Sequence, residues 1–596
     1  MIVSKFETGS LIASTTSQER KLSAALWVIL FVATLSRMWG VWYGHPDIIH
    51  PDEHHIVGRA LLMLQAPAYD LNPHFFEYPS LYLYLTALLY FCVGVLLLVC
   101  GFISGLHELY PYAQEHLFLF HVLGRVLTAG LGIATIYYTY LSARALWGKK
   151  IGLLSAWFLT ISYLHFTDSH FIATDVPSAF FVVWTFYLVL TAMQTLRLKK
   201  FYGAAFVSGL SASVKYPNGL VLLLVYCAAI LWCRGTNPAW FKVFFPKLFF
   251  KLSLFAGLGF VAGTPFALLD PKAFATGLIS QLLHSRLGHL GVEESGFFGY
   301  FTALTPAGGV GILLVLAALG GLLVSLWRPQ ARTWLLLAFP LFFYLLLGRS
   351  ALKVDRYLIP AIPFFCIYAA IGVAQLANSW RSRVAQQGAL VACIFALSAL
   401  PVYYMMKWCW IVTQPDTRRE AAIWIDHNIA PETVIAKRVG SWMFPIINQT
   451  NRQLKQIELY TEESARARMV FKLELLQKPH TAWLLRNVFK DTTRVEDLRQ
   501  YLESLPTFAD WRAPTLQSLR AEGVQVIVTS SLLEGRFLQP TMRAKFPEMV
   551  RSWQELFANL QREGKLLREF SPPESVRHPW GLGFLERPVI RIYAID

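Results

Sequence analysis

Long apolar stretches fill the first 410 residues and limit the folds that are open to this chain. Most of them can cross a ~30 Å hydrocarbon core, which takes about 20 helical residues. Only 15% of the chain is charged, against roughly 25% in soluble domains. We predict an all-α polytopic membrane domain with about 11–13 spans. The stretches are 22–43, 81–105, 117–146, 151–166, 176–196, 201–216, 218–232, 248–269, 308–327, 334–347, 357–377 and 389–406.

The last third of the chain has a different pattern. Asp416 is a typical N-cap for a helix, and 516–521, Gly523 and 524–529 suggest a helix, a stop and a strand. A helix over 542–560 and a closing strand over 588–595 are also expected. We therefore predict three parts: a cytoplasmic tail over 1–21, a membrane domain over 22–410 with long outer loops at 44–80 and 270–305, and a soluble mixed α/β domain over 411–596.

The net charge of +16 belongs mainly to the membrane part, where loops between apolar stretches are rich in Lys and Arg. Basic loops stay on the cytoplasmic side of a membrane, so this pattern indicates orientation and not nucleic-acid binding. It places the loop after Gly44, the region around Asp175, the loop before Arg356 and the C-terminal domain outside. A single crossing by the stretch 81–105 would put the basic group at 144–150 outside. Either this stretch enters the membrane and returns, which we expect, or one basic loop breaks the rule. The basic loops lie at 144–150, 197–200, 234–251, 328–332 and 381–383.

The first outer loop contains the run His50-Pro51-Asp52-Glu53. Two adjacent carboxylates beside an apolar wall suit a general base, because partial burial raises the pKa of a carboxyl toward the working pH. On this interpretation Asp52 is the base and Glu53 supports it. The alternative is a solvated loop in which Asp52 caps a helix, and the triplet alone favours that alternative.

Two further motifs begin apolar stretches on the predicted outer side. Asp175 lies in Thr-Asp-Val-Pro, where it is either a second carboxylate of a site or an N-cap with proline in the first turn. Arg356 and Tyr357 precede Leu-Ile-Pro, where the guanidinium suits a lipid phosphate. The alternative for this pair is an interfacial anchor.

Histidines and buried charges complete the candidates. Glu77, with His284 or His289, suits a divalent cation. The alternative, which is favoured over a metal site, is that these are interfacial histidines in polar loops.

Arg37, Arg125 and Lys215 lie within or beside apolar stretches, where charges usually line a cavity. No organic cofactor is expected.

Taken in order, these motifs resemble the polyprenyl-phosphate-dependent membrane glycosyltransferases of the GT-C fold. That family includes protein O-mannosyltransferases and the aminoarabinose transferase of lipid A. The resemblance covers roughly 22–415, and it rests on the order, spacing and common side of the motifs. They are Pro-Asp-Glu at 51–53, Phe-Glu-Tyr-Pro at 76–79, Thr-Asp-Val-Pro at 174–177, Val-Lys-Tyr-Pro at 214–217 and Arg-Tyr-Leu-Ile-Pro at 356–360.

The resemblance assigns roles to individual residues. Asp52 matches the family's principal catalytic aspartate, and Asp175 its second acidic position. Glu77 matches a glutamate that touches a metal in some members. A lysine that serves the carrier phosphate in the aminoarabinose transferase is Tyr78 here, which argues against identity with that enzyme. The candidates for binding the carrier phosphate or the substrate are Arg356, Tyr357, Lys215, Arg59 and Tyr78.

The function implied by the resemblance is transfer of a sugar from a polyprenyl-phosphate donor to a glycan, lipid or protein acceptor, with inversion. The site and the C-terminal domain would face outward from the cytoplasmic membrane, in the cell envelope. The donor, membrane lipid and the acceptor are the expected partners, and nucleic acid is not. A transporter or flippase, or a subunit that binds carrier lipid without transfer, is the alternative.

Overall fold

The computed structural model describes most of the membrane part and a smaller share of the C-terminal part. The described residues are 17–195, 197–236, 238–287, 300, 311–327, 329–350, 353–437, 443–445, 454–456, 513–538, 540–545, 547–576 and 585–595. Residues 1–16, most of the predicted cytoplasmic tail, lie outside this set.

Helices make up the described membrane part. The first nine are α1 (Ser17–Met38), α2 (Glu53–Leu62), α3 (Leu81–Val99), α4 (Leu109–Glu115), α5 (Leu117–Trp147), α6 (Lys149–Thr160), α7 (Tyr163–Asp168), α8 (Asp175–Thr195) and α9 (Leu198–Ala212). The next eight are α10 (Val221–Thr236), α11 (Pro238–Gly263), α12 (Phe266–Leu269), α13 (Pro271–Leu287), α14 (Ile312–Trp327), α15 (Ala331–Leu347), α16 (Ile362–Asn378) and α17 (Arg383–Ile411). Short 3₁₀ helices at Tyr216–Leu220 and Asp355–Ala361 precede α10 and α16.

Seven of the described helical segments are long and apolar enough to cross a membrane, and three shorter apolar helices accompany them. The predicted class, a polytopic helical membrane domain followed by a mixed α/β region, is confirmed, and the chain is a multi-pass membrane protein. Among the described residues there are fewer long apolar helices than the predicted spans. One reason is that 151–166 forms α6 and α7, which are short, lie in the core and are separated by a turn near Ser162.

Two close helix crossings shape the bundle. At the crossing of α9 and α11, a Cβ on Gly209 or Gly259 would collide with the backbone of the opposite helix. At the crossing of α14 and α16, Gly321 and Gly372 have the same relation. Small residues let helix backbones approach in a membrane. These glycines therefore fix the distance between α9 and α11 and between α14 and α16. The 3₁₀ segment 216–220 follows α9, and the 3₁₀ segment 355–361 precedes α16.

The segment 81–105 does not turn back on itself, so that prediction is wrong. Leu81–Val99 is one unbroken helix. It runs antiparallel to the first half of α5, since the Tyr82 hydroxyl lies 2.6 Å from Thr128 Oγ1 and the Tyr90 hydroxyl donates to Phe120 O at 2.7 Å. An uninterrupted apolar helix satisfies its own backbone, and its sequence contains no breaker that would reverse it.

The C-terminal part has its own hydrophobic core and a five-stranded sheet with the order β2-β1-β3-β5-β4. Strands β2, β1 and β3 are parallel, whereas β5 pairs antiparallel with β3 and β4. The strands are β1 (Ile435–Lys437), β2 (Leu454–Gln456), β3 (Val526–Ser530), β4 (Lys565–Phe570) and β5 (Ile590–Ala594). The described helices here are α18 (Thr417–Asn428), α19 (Leu516–Ala521), α20 (Ser531–Leu538), α21 (Pro540–Lys545) and α22 (Pro547–Glu563).

Candidate active site

Four charged side chains meet in one cleft, although they come from distant parts of the chain. Asp52, Asp175, Lys215 and Arg356 all line it, together with Ile56, Tyr78, Ala173, Thr174 and Tyr357. Three of the four charged side chains are partly open to the surface: Asp52 is 24% exposed, Arg356 16% and Lys215 14%.

The charges alternate in sign and are paired with each other. Arg356 Nη2 donates to Asp52 Oδ2 at 2.6 Å, and Arg356 Nε lies 3.5 Å from Asp175 Oδ2. Lys215 Nζ donates to the other oxygen of Asp175 at 2.5 Å. The Asp175 side chain is 3% exposed, against 24% for Asp52. Asp175 is thus buried between Lys215 and Arg356. Asp52 lies at the mouth of the cleft and contacts one cation of the cleft, Arg356.

Local structure explains the placement of each carboxylate. Asp175 opens α8, where the positive end of the helix dipole favours a negative charge. Asp52 occupies the N-cap position of α2, but its side chain makes no capping hydrogen bond. The capping interpretation therefore does not account for the Asp52 carboxylate, which instead binds Arg356.

The sequence-based expectation of a raised pKa for Asp52 is wrong for this arrangement. Burial alone would raise the pKa, but the Arg356 guanidinium outweighs burial and lowers the pKa of Asp52 to about 2. A carboxylate this stable in its charged form is a weak base. Asp52 accepts a proton readily only when Arg356 has moved away.

Glu53 does not line the cleft, although it neighbours Asp52 in sequence. Its carboxylate is fully buried and accepts two hydrogen bonds from Arg125, at 2.9 and 2.7 Å. The Tyr43 hydroxyl and the Ile172 amide also donate to it, at 2.9 and 3.2 Å. We call this set, Glu53 with Arg125, Tyr43 and Ile172, the clamp. Glu53 thus joins the loop of Asp52 to the segment that leads into Asp175.

The other predicted phosphate ligands divide into two groups. Tyr78 and Tyr357 line the cleft, and Lys215 Nζ lies 3.8 Å from the centroid of the Tyr357 ring. Arg59 is not among the lining residues, because its guanidinium lies over the Phe75 ring, 4.1 Å from the centroid. The cleft therefore obtains its cations from Lys215 and Arg356.

Arg37 and Arg125 are not among the residues that line this cleft, in contrast to the expectation for buried charges. Arg37 donates to the carbonyl oxygens of Leu159 and Thr160 at the carboxyl end of α6. Carbonyls in the last turn of a helix carry its negative dipole end, so a guanidinium is favoured there, although Leu159 O also accepts from the Ser162 amide at 3.3 Å. Arg125 belongs to the clamp, so both arginines hold elements together, and Lys215 alone of the three faces the cleft.

The predicted metal site is incomplete among the residues that can be described. Glu77 is exposed and lies 3.5 Å from Ser280 Oγ. His289 and the side chain of His284 lie outside the described residues. Within the described part, no three His, Cys, Asp or Glu side chains form a group that can hold a metal.

Asp168 is a residue near the site that the sequence did not single out. It ends α7 and is 6% exposed. Burial raises its pKa to about 7, against the opposing effect of Arg356, and Asp175 raises it further. The sequence contained one signal that could have revealed it: a single Asp in a mainly apolar run, seven residues before Asp175.

The family comparison matches the segment that carries much of this geometry. A model of the dolichyl-phosphate-mannose-protein mannosyltransferase family matches residues 121–261, a range that includes Asp175 and Lys215. Over this segment the chain is similar to membrane mannosyltransferases that use a lipid-phosphate donor. The match agrees with the predicted family, reaction class and type of donor over residues 121–261.

The solved structures that match this chain are distant from it in sequence. ArnT from Cupriavidus metallidurans bound to undecaprenyl phosphate is 12% identical, with a TM-score of 0.47, over 97% of this chain and 98% of that chain. The oligosaccharyltransferase AglB from Archaeoglobus fulgidus, in complex with an inhibitory peptide and a dolichol-phosphate, is 11% identical, with a TM-score of 0.49, over 97% and 89%. No curated protein matches the sequence significantly. Residue roles therefore rest on the geometry of this chain.

Proposed function

We propose that the cleft transfers a sugar from a polyprenyl-phosphate donor to a hydroxyl of a glycan, lipid or protein acceptor on the outer face of the cytoplasmic membrane. The observation that carries the proposal is the meeting of Asp52, Asp175, Lys215 and Arg356 in one cleft. Comparing cell-surface glycans by mass spectrometry, with and without the gene, tests it. Loss of one sugar substituent supports it and identifies sugar and acceptor, whereas unchanged glycans contradict it.

The donor phosphate is assigned to the two cations. Arg356 offers a planar set of N–H groups that matches phosphate oxygens, and Lys215 offers a point charge. The Tyr78 and Tyr357 side chains border the same space. As the bond between the anomeric carbon and the phosphate oxygen breaks, the electron pair stays on the phosphate. Cations already in place stabilise that developing charge without reorganising.

The acceptor is assigned to Asp52. In the proposed reaction, the acceptor oxygen attacks the anomeric carbon on the face opposite the phosphate, and its proton passes to the Asp52 carboxylate. A single displacement of this kind inverts the anomeric configuration. Asp175 stays between Lys215 and Arg356 and holds both cations in position.

Outward orientation of the site is supported by the placement of the basic loops. The site occupies the start of α8, and this helix of 21 residues is about 30 Å long, which matches the hydrocarbon core. At its far end, Gln194 donates to Ala145 O, and Arg332 donates to Leu146 O nearby. The basic loops near 144–150, 197–200 and 328–332 therefore belong to the end of the bundle opposite the site.

The C-terminal domain over 411–596 is proposed to lie on the same outer side. Arg419 of α18 lies 3.7 Å from Asp47, which belongs to the loop of Asp52. Arg587 also donates to the carbonyl oxygens of Ile411 and Gln414, at 2.5 and 2.6 Å. These contacts attach the domain to the end of the bundle that carries the cleft.

Sidedness leads to a labelling prediction. In a cysteine-free variant, a cysteine in place of exposed Ala68 should react with an impermeant maleimide added to intact cells. A cysteine in place of exposed Arg381 should react only after permeabilisation. The reverse pattern would place the cleft on the cytoplasmic side.

Loss of a phosphate ligand should weaken binding of the carrier. Lys215→Met removes one charged donor, and a hydrogen bond to a charged group contributes about 1.5–3 kcal/mol. The Kd for polyprenyl phosphate should therefore rise by about 10- to 150-fold. Lys200→Met, which removes the same charge from the first turn of α9, serves as the control and should leave the Kd nearly unchanged. Equal Kd values for both variants would remove Lys215 from the phosphate site.

A divalent cation bound by Glu77 with His284 or His289 remains a proposal. If it takes part in the reaction, excess chelator should abolish transfer and added Mg²⁺ or Mn²⁺ should restore it. Full activity in excess chelator would remove the metal from the mechanism while leaving the roles of Asp52 and Arg356 intact.

A further inference from the structure

The proposed base and the proposed phosphate ligand are bound to each other, and this contact needs an explanation. The Asp52 carboxylate accepts a hydrogen bond from Arg356 at 2.6 Å, the tightest contact that either group makes with the other charges of the cleft. In this state Asp52 is a poor acceptor for a proton, and Arg356 is occupied by a carboxylate. The arrangement is inactive for both halves of the proposed reaction.

The two carboxylates depend on Arg356 to different extents. Asp175 binds Lys215 through its other oxygen, so it keeps a cation if Arg356 moves. Among the described residues of the cleft, the cation that contacts Asp52 directly is Arg356. The neighbouring His50 ring does not replace it, because burial lowers the pKa of His50 to about 4 and the ring is neutral at pH 7. Removing Arg356 therefore leaves Asp52, and not Asp175, without a counter-ion.

Other titratable groups around Asp52 do not change this result. They are Arg356, Lys215, Asp175, Asp168, Tyr78, Tyr357, His50, His55 and the adjacent Glu53, whose charge is paired with Arg125. Tyr78 is neutral at pH 7, because burial raises its pKa. Asp168 has a pKa of about 7 and contributes part of a negative charge. The cleft holds two cations, Lys215 and Arg356, and two carboxylates, Asp52 and Asp175. An entering phosphate therefore competes with the carboxylates for the cations.

We infer that the donor phosphate draws Arg356 away from Asp52, so that the base is released only in the complex with donor. This inference rests on the proposed function and adds an order of events to it. Donor binding precedes removal of the acceptor proton. After transfer, the acceptor proton is on Asp52 and the carrier phosphate holds Arg356 and Lys215. When the carrier leaves, Arg356 returns to Asp52 and the proton passes to solvent.

Competition between Asp52 and phosphate for Arg356 has a direct consequence for binding. Coupling between two ligands of one group is reciprocal, so removing the Asp52 charge should strengthen phosphate binding. The ion pair that the phosphate must break is a hydrogen bond of 2.6 Å between two charged groups, and losing such a contact typically changes an affinity about tenfold or more. Polyprenyl phosphate should therefore bind at least about 10-fold more tightly to Asp52→Asn than to the wild type.

The experiment measures equilibrium binding of polyprenyl phosphate to the purified full-length protein at pH 7. The control variant is Asp47→Asn, which removes the same charge from the same loop but whose arginine partner is Arg419. The control ligand is polyprenol, which lacks the phosphate. The inference expects tighter binding for Asp52→Asn with the phosphate only, and no gain for Asp47→Asn.

A second pair of variants assigns the gain to Arg356. Adding Asp52→Asn to an Arg356→Gln background should give no increase in affinity, because the contested cation is gone. Unchanged or weaker phosphate binding by Asp52→Asn would overturn the inference, and so would an equal gain in the Arg356→Gln background. No binding of polyprenyl phosphate by the wild type or any variant would contradict the proposed function itself.

Discussion

Replacing Asp52 with asparagine should slow sugar transfer by about 10²–10⁴-fold, the usual cost of removing a positioned base. Asparagine has the same size, and the Asp52 side chain makes no capping hydrogen bond that the substitution could remove, so the fold should not change. The measurement is the initial rate of transfer by membranes that contain equal amounts of wild-type and variant protein. Binding of the carrier should persist, because Arg356 and Lys215 remain.

The same assay separates Asp52 from Asp175. Asp175→Asn should also lower the rate, but through weaker placement of Lys215 and Arg356, and it should raise the Kd for the carrier. If Asp52→Asn transfers sugar at nearly the wild-type rate while Asp175→Asn does not, the base assignment moves to Asp175.

Replacing Glu53 with glutamine should destabilise the protein far more than Asp52→Asn. The substitution leaves the fully buried guanidinium of Arg125 without its carboxylate, and breaking a buried ion pair costs about 3–5 kcal/mol. The measurement is thermal unfolding of the purified protein in detergent, together with its yield from membranes.

The same ion pair makes the stability of the wild type depend on pH. Burial alone would raise the pKa of Glu53, but Arg125 outweighs burial and lowers the pKa from 4.5 to about 2. The wild type should therefore keep this stabilisation above pH 4.5 and lose it as the pH falls toward 2.

Two comparisons test this prediction for the clamp. Asp47→Asn breaks an ion pair in the same loop whose arginine is 43% exposed, and exposed pairs contribute only about 0–1 kcal/mol. Glu53→Gln combined with Arg125→Met should recover part of the loss, since replacing both members of a buried pair is often tolerated. If Glu53→Gln unfolds at the wild-type temperature, the clamp does not stabilise the bundle.

Local signals in the sequence predicted several elements well. Asp416 caps α18 through the Arg418 amide at 2.9 Å, and Gly523, with φ of +78°, ends the helix before β3. Capping and a left-handed glycine act over a few residues, so one sequence suffices to find them. The closing strand β5 was found for the same reason. The predicted helix over 542–560 is instead two helices, α21 and α22, and Pro547 begins the second.

Long-range pairing explains what the sequence did not reveal. Asp52 and Glu53 are neighbours, yet one faces the cleft and the other the core, because successive residues at a helix start point about 100° apart. The partner of Glu53 is 72 residues away and the partner of Asp52 is 304 residues away. Neither separation is encoded in a local pattern. The expectation of a raised pKa for Asp52 failed because Arg356 was not known to be its partner.

The central claim is tested most directly by following the donor in the reconstituted, purified protein. Lipid-linked sugars extracted from the native membrane, together with acceptor-containing membranes, are supplied to wild-type and Asp52→Asn protein, and free polyprenyl phosphate is measured by mass spectrometry. The account predicts release of polyprenyl phosphate, and of a glycosylated acceptor in equal amount, by the wild type alone. Donor that crosses the bilayer intact, or carrier that is bound without release, would contradict it and favour a flippase or a carrier-binding subunit.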